Sequence, residues 1–393
     1  MSQTPASVTP PATALVQSGG AARGAYEAGV AQYIFEDIAR EVGPVSLPIL
    51  CGTSAGAINV AFLAAHADHP ALAAARLVAV WRSLRVTDVV RPSACEAIAI
   101  AAGLLGHPMR GEGGGLLDPS GIAHLVDDIP FARIEEHLAA GRLRGVTIST
   151  THVATGETVV FLAHGARARS ATLIDASVRM RDAHLGRAHV LASSAIPLLL
   201  PPVDIEGELF CDGGLRQNVP FSPAIHLGAT ALIVVNPQAP SAASATHPPA
   251  QAPSPIFILG KLINALTLDR IDGDIDRLTK LNELIAAGTR RYGDGFANEL
   301  GVSLRPVRVV QVHASQDLGR IAGDYVRSPD FHARGLLERA LRVLAEGTGS
   351  PSADLVSYLL FDGGYAERLI DLGRHDARAH HDELCALLTP TAA

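Results

Sequence analysis

Ser54 has the neighbours of an activated nucleophile. It stands in Gly52-Thr53-Ser54-Ala55-Gly56, a G-x-S-x-G pentapeptide behind the apolar residues Leu47, Ile49 and Leu50 and ahead of an Ala-rich helical stretch, residues 57–65. A serine on a tight strand-to-helix turn is held at φ/ψ values few residues tolerate, and flanking glycines remove side chains that would collide with strand and helix. Its hydroxyl then projects from the sheet edge at the positive end of a helix, where an oxyanion is stabilised. A serine that merely caps a helix fits the pentapeptide as well, so residues elsewhere decide.

Two further groups bear on the choice. The apolar residues 14–17 run into Ser18-Gly19-Gly20-Ala21-Ala22-Arg23-Gly24, after which Ala28, Val30, Ala31, Ile34, Phe35 and Ile38 recur at helical spacing. Such a turn presents backbone N–H groups at a helix N-terminus and suits an anion. A dinucleotide fold also opens this way. Here the third position of that pattern is Ala21, and Glu41 precedes the next strand instead of ending it, so an oxyanion hole serving Ser54 explains both turns together. Arg23 is read as orienting the turn or meeting a phosphate head group, against the commoner fate of a surface salt bridge. The short strand 208–211 delivers Asp212-Gly213-Gly214, with Asn218 and Pro220 beyond. Asp212 is then a turn residue or a base carried to the edge where Ser54 emerges. A rival triad would take His313, at the end of strand 307–312, as its base and make Asp212 an orienting residue. With sixteen histidines in the chain, one at a strand end is expected by accident.

The elements that position these residues follow from a chain of 393 residues, 48% hydrophobic and 18% charged, which can bury a substantial core. The net charge of −7 and isoelectric point near 6.1 argue against a nucleic-acid partner. Four scattered cysteines (Cys51, Cys95, Cys211, Cys385) have no metal spacing and read as reduced thiols. No metal or cofactor is implied. Residues 1–12 read as a flexible tail without a secretory signal. The most apolar stretch, residues 97–105, is about half the ~20 residues a membrane span needs. The expectation is a cytoplasmic protein that touches membranes peripherally, with residues 97–116 as lid or lipid-facing patch. Gly113-Gly114-Gly115 lacks the Gly-Lys-Ser/Thr of a phosphate loop and reads as a mobile loop. Trp81, on a helix over 71–84, is read as a core residue. Residues 13–236 read as an α/β catalytic domain, 237–255 as a Pro/Ala-rich linker, and 256–393 as mostly helical with one strand near 306–313. Asp362-Gly363-Gly364 opens a helix, so Asp362 is read as an N-cap.

Taken in order, Gly19-Gly20-Ala21-Ala22-Arg23-Gly24, Gly52-Thr53-Ser54-Ala55-Gly56, Ala192-Ser193-Ser194-Ala195-Ile196-Pro197 with Pro201-Pro202, and Asp212-Gly213-Gly214 with Asn218 and Pro220 resemble the patatin-like phospholipase family. The resemblance covers about residues 12–236, and the tail is similar to C-terminal extensions of bacterial members. It implies a three-layer α/β/α sandwich with a mainly parallel sheet and a helical C-terminal extension. It also implies a serine lipid acyl hydrolase of phospholipase A, lysophospholipase or esterase type, with a Ser–Asp dyad and no catalytic His. By match, Ser54 is the nucleophile and Asp212 the base. Residues Gly19, Gly20, Ala21, Ala22, Arg23 and Gly24, with Ala55, form the oxyanion hole, and Gly52, Gly56, Gly213 and Gly214 support the motifs. The partner implied is a lipid or fatty-acyl ester. One departure is Ala21, where the family usually has a third consecutive glycine; at φ > 0 an alanine costs about 1 kcal/mol or more. The different-class alternative is a non-catalytic lipid-binding protein of the same fold, against which intact Ser54 and Asp212 speak.

Overall fold

The structure, a computed structural model, describes residues 12–90, 117–165, 178–197, 199–216, 221–239, 271–293, 306–332 and 350–389, with positions 296, 338, 339, 341, 342 and 345. The strands are β1 (Thr13–Gln17), β2 (Ile49–Thr53), β3 (Gly145–His152), β4 (Thr158–His164), β5 (Val178–Asp182), β6 (Val203–Ile205), β7 (Glu208–Asp212), β8 (Ala231–Asn236) and β9 (Arg308–His313). They form one sheet in the order β5-β4-β3-β2-β1-β8-β9, with the β6–β7 hairpin laid antiparallel against the end of β3. The five strands β3-β2-β1-β8-β9 are all mutually parallel.

Period-two alternation explains why this sheet needs helices on both faces. Leu15, Leu50, Ile233 and Val235 point into one core; Ala14, Val16, Ile49, Cys51, Leu232 and Val234 point into the other. The first core is covered by α1 (Gly24–Tyr33), α2 (Ala55–Ala65), α3 (Pro70–Ser83) and helices of the C-terminal half, the second by Phe221–His226 and Ile271–Tyr292. The result is a three-layer α/β/α sandwich. Helix α1 runs on through a π-helical turn, Ile34–Ile38, into Ala39–Val42.

The remaining elements used below are α4 (Arg187–Ser193), α5 (Ser350–Leu359) and α6 (Gly363–Ala379). The C-terminal half is woven into the same core. β9 pairs with β8, and α6 crosses α1 so closely that a Cβ at Gly29 would stand 2.3 Å from Ile370 O, and one at Gly373 2.2 Å from Tyr26 O. The Tyr26 hydroxyl donates to Asp376 Oδ2 at 3.0 Å across that crossing.

Several expectations fall outside the described residues: the tail to residue 11, the patch at 97–116 with Cys95, the linker beyond residue 239, Asn218 and Pro220. The helix expected over 256–291 is described as Ile271–Tyr292. Cys51, Cys211 and Cys385 are free thiols among the described residues.

Because the α1–α6 crossing leaves no room for a methyl group, Gly29→Ala is expected to lower stability by about 1–3 kcal/mol. A urea midpoint equal to wild type would show that the crossing is not close-packed.

Candidate active site

β2 ends at Thr53 and α2 begins at Ala55, so one residue makes the whole turn. That residue, Ser54, has φ 55° and ψ −123°, a region costing a non-glycine residue about 1–3 kcal/mol. Close packing explains the motif's glycines. A Cβ at Gly56 would lie 2.5 Å from Gln17 O, and one at Gly52 2.4 Å from Gly56 O. The Gly56 N–H donates to Ser18 O at 3.2 Å, fastening the elbow to the turn after β1. Two serines at the end of α4 hold the elbow from the other side. Ser54 N–H donates to Ser193 Oγ at 2.9 Å, and Ser193 Oγ in turn donates to Ser149 O at 2.7 Å. Ser194 Oγ donates to Ser54 O at 3.2 Å, sharing its proton with Val190 O at 3.0 Å.

Asp212 closes β7 where that strand leaves β3. Its N–H donates to Ala195 O at 2.9 Å, and Thr151 Oγ1 donates to Asp212 O at 2.9 Å, so its backbone is fixed on both sides. One carboxylate oxygen, Oδ1, accepts from Gly214 N–H at 2.7 Å. The other, Oδ2, accepts from Ser54 Oγ at 2.6 Å. Burial pushes the Asp212 carboxyl up to about 6, against the lowering effect of the Ser54 hydroxyl and the Gly214 N–H. A buried hydroxyl hydrogen-bonded to a carboxylate of raised basicity is an arrangement that can move a proton off oxygen.

The glycine-rich turn lies beside this pair. After β1 it makes one 3₁₀ turn, Ala21–Arg23, and enters α1. Ala21 has φ 49°, so the position usually held by a third glycine is left-handed and the alanine there is strained. Beneath the turn, Ser18 Oγ and Asn59 Nδ2 donate to the fully buried Glu27 carboxyl, Asn59 Nδ2 also donates to Gly24 O, and Trp81 Nε1 donates to Asn59 Oδ1 at 2.9 Å. Burial raises Glu27 well above the usual carboxylate range, with the Ser18 and Asn59 donors opposing it. Arg23 turns away from the cleft. It is 4% exposed and meets Ser357, Tyr358 and Asp354, which corrects the head-group and surface readings and leaves the orienting one.

An apolar cavity opens at Ser54, Ala21 and Ala55 and is walled by Trp81, Leu125, Ile196, Leu199, Leu359 and Phe361. Trp81, expected to be core alone, is both buried and part of this wall.

The triad alternative is corrected. His313 ends β9, three strand positions from β2 in the sheet order, roughly 14 Å away at about 4.8 Å per strand. Its ring packs against His380. Asp362 is the N-cap of α6, accepting from Gly364 N–H and Tyr365 N–H. The serines of α4 lie in a stretch the sequence singles out, but their grip on Ser54 does not follow from it. The stretch around Leu359 carries no signal beyond an apolar run. Among the described residues, Glu41, His381 and Cys385 bring three possible metal-ligand atoms within 4.8 Å of one another, and none of the three lines the cavity. Both His381 nitrogens already have partners there, Nδ1 with the Tyr33 hydroxyl at 2.9 Å and Nε2 with Glu41 Oε2 at 2.8 Å.

Comparison with known proteins bears on this geometry. The family model described as patatin-like phospholipase matches residues 15–225, more than half of the chain and a span that includes both turns and Asp212. No curated relative matches. Among solved structures, VipD from Legionella pneumophila is similar at 12% identity and a TM-score of 0.30, over 92% of this chain and 67% of that one. Human GIVD cytosolic phospholipase A2, in complex with methyl gamma-linolenyl fluorophosphonate, is similar at 10% identity and a TM-score of 0.42, over 96% of this chain. This chain spans 59% of the length of that human chain. Both likenesses are distant.

Relief of the left-handed alanine is measurable: Ala21→Gly is expected to raise stability by up to about 1 kcal/mol, the gain in strain being partly offset by the freer unfolded chain. An unchanged or lower urea midpoint would show that φ at residue 21 carries no cost.

Proposed function

The chain belongs to the patatin-like phospholipase family, and from that premise we propose that it is a serine lipid acyl hydrolase cleaving fatty-acyl esters through a Ser54–Asp212 dyad and an acyl-enzyme. The observation that carries the reading is the 2.6 Å hydrogen bond from Ser54 Oγ to Asp212 Oδ2 at the head of an apolar cavity. The cavity suits a hydrocarbon tail, and the reacting ester lies at its polar end.

Each step has a group to serve it. Ser54 Oγ attacks the ester carbonyl carbon while its proton passes to Asp212 Oδ2. The oxyanion is held by the N–H groups of Gly20, Ala21 and Ala55, the last at the first turn of α2, where N–H groups have no intrahelical acceptor. Collapse breaks the ester C–O bond, and the leaving alkoxide takes the proton from Asp212. Water then gives its proton to Asp212 and attacks the acyl carbon. Ser54 Oγ recovers that proton as the fatty acid departs.

An unperturbed Asp, with a pKa of about 3.9, is a weak base for a hydroxyl. At about 6, Asp212 binds a proton far more tightly and is still ionised at neutral pH. Phospholipase A, lysophospholipase and neutral esterase activities all belong to this proposal. So does peripheral contact with a lipid surface, since the substrates reside in membranes. No described helix is long and apolar enough to cross one.

On a medium-chain p-nitrophenyl ester and on mixed phospholipid vesicles, Ser54→Ala and Asp212→Asn are expected to lose at least about a thousandfold in kcat/KM, with circular dichroism unchanged. His313→Ala should stay within about twofold of wild type. Retained activity in Asp212→Asn, or its loss in His313→Ala, would sink the dyad. The ionised carboxylate is the active form, so kcat/KM should rise with pH through about 6 and level off above it. A profile flat down to pH 4.5 would exclude Asp212 as the base.

A further inference from the structure

We infer that residues 354–361, far beyond the matched residues 15–225, form a fixed wall of the acyl site and that Leu359 sets which acyl chains fit. This rests on the reading of the cavity as the acyl pocket.

The wall is tied down at both ends. At its start, Arg23 reaches across from the glycine-rich turn: Nε and Nη2 donate to Ser357 Oγ at 2.9 and 2.6 Å, and Nη1 donates to the Tyr358 hydroxyl at 3.2 Å. The guanidinium also lies 4.0 Å over the Tyr358 ring centroid and 3.5 Å from Asp354 Oδ1. A buried cation satisfied by one helix holds that helix in place, because moving it would strand the charge. Arg23 is two residues from Ala21, so α5 and the turn beside Ser54 are positioned as one unit. At the far end, the Gly363 N–H donates to Leu84 O at 2.9 Å, and the Tyr325 hydroxyl donates to Asp362.

Between these anchors, the side chains complete the cavity. Leu355 and Tyr358 form an apolar cluster with Leu199, and Ala21, Ile196 and Leu359 pack against it. Phe361 stacks on Trp81, with centroids 6.3 Å apart and planes 11° from parallel. Tyr358, Leu359 and Phe361 all line the cavity together with Ser54. Leu359 is the one of these three that is only partly buried, so its size can change without emptying the core. A pocket discriminates by roughly tenfold or more for each methylene it must exclude. A bulkier residue 359 therefore rejects long chains, and a smaller one admits them.

Trp81 is the chain's single tryptophan and lines this cavity, so its emission reports binding without catalysis. Saturated fatty acids from hexanoic to stearic are titrated into wild type, Leu359→Phe and Leu359→Ala, with folding checked by circular dichroism. The expected result is that the tightest-binding acid becomes shorter in Leu359→Phe and longer in Leu359→Ala, with at least tenfold changes in Kd for the longest acids. If Leu359→Phe does not fold, the lengthening in Leu359→Ala alone decides. An identical length optimum in the folded variants, or a change uniform over all lengths, overturns the assignment, as does a wild-type emission that no fatty acid moves. Labelling of Ser54 by an alkyl fluorophosphonate runs alongside. Intact fatty-acid binding without labelling would refute the nucleophile and leave the wall standing; labelling without a Leu359 effect would do the reverse.

Discussion

The backbone at Ser54 is the constraint on which the rest of the site depends. A serine at φ 55° and ψ −123° relaxes unless its surroundings over-determine it. They do so from two sides: Gly56 N–H bonds to Ser18 in the turn after β1, and at the end of α4 Ser193 receives the Ser54 N–H while Ser194 donates to the Ser54 carbonyl. The two sides come from distant parts of the chain, so the elbow cannot flatten without disturbing the turn after β1 and the end of α4 together. In exchange for that strain the hydroxyl leaves the sheet edge on the side where β7 brings Asp212.

Arg23, Glu27 and Asp212 are buried around the elbow, and each is handled differently. Arg23 is met by Asp354, two hydroxyls and an aromatic face. Glu27 is raised well above the carboxylate range and braces the turn through Ser18 and Asn59. Asp212 lies between these extremes. Two donors favour its anion strongly enough to hold it near 6 against burial, while its environment remains dry enough to keep it basic. The first two groups build the scaffold; the third receives the Ser54 hydroxyl.

What could be read from the sequence was what close packing and local geometry impose. Gly52 and Gly56 stand out because no side chain fits where β2, α2 and the end of β1 converge, and they bracket Ser54 within five residues. Asp212 was visible as a strand-end carboxylate among glycines, yet its partner lies 158 residues away and no spacing encodes it. The bond between Ser54 and Ser193 spans 139 residues, and that between Arg23 and Ser357 spans 334. Contacts of this kind depend on how the layers stack. For the same reason β9 was legible as an apolar strand, but its place beside β8 was not, and the C-terminal half read as an extension although it supplies a sheet strand and a helix packed on α1.

In the proposed dyad a carboxylate takes the role usually given to imidazole, and that changes what the site must supply. An unperturbed histidine titrates at about 6.5, so Asp212 near 6 has comparable affinity for a proton. Imidazole needs a third residue to select its tautomer and orient its ring. A carboxylate has two equivalent oxygens, and the corresponding need is to occupy one so that the other is aimed. Gly214 N–H does this by holding Oδ1 at 2.7 Å, which leaves Oδ2 for Ser54. The donor sits two residues along the same chain, so the tight Asp-Gly-Gly turn does the orienting work of a separate third residue. The electrostatics differ as well. An imidazole base becomes cationic when it takes the nucleophile's proton, whereas a carboxylate becomes neutral, so in the proposed mechanism no buried cation develops beside the acyl tail. In a cavity walled by Trp81, Leu199 and Leu359, an unsolvated positive charge would be costly. A base that loses its charge on protonation therefore suits a hydrocarbon-lined site.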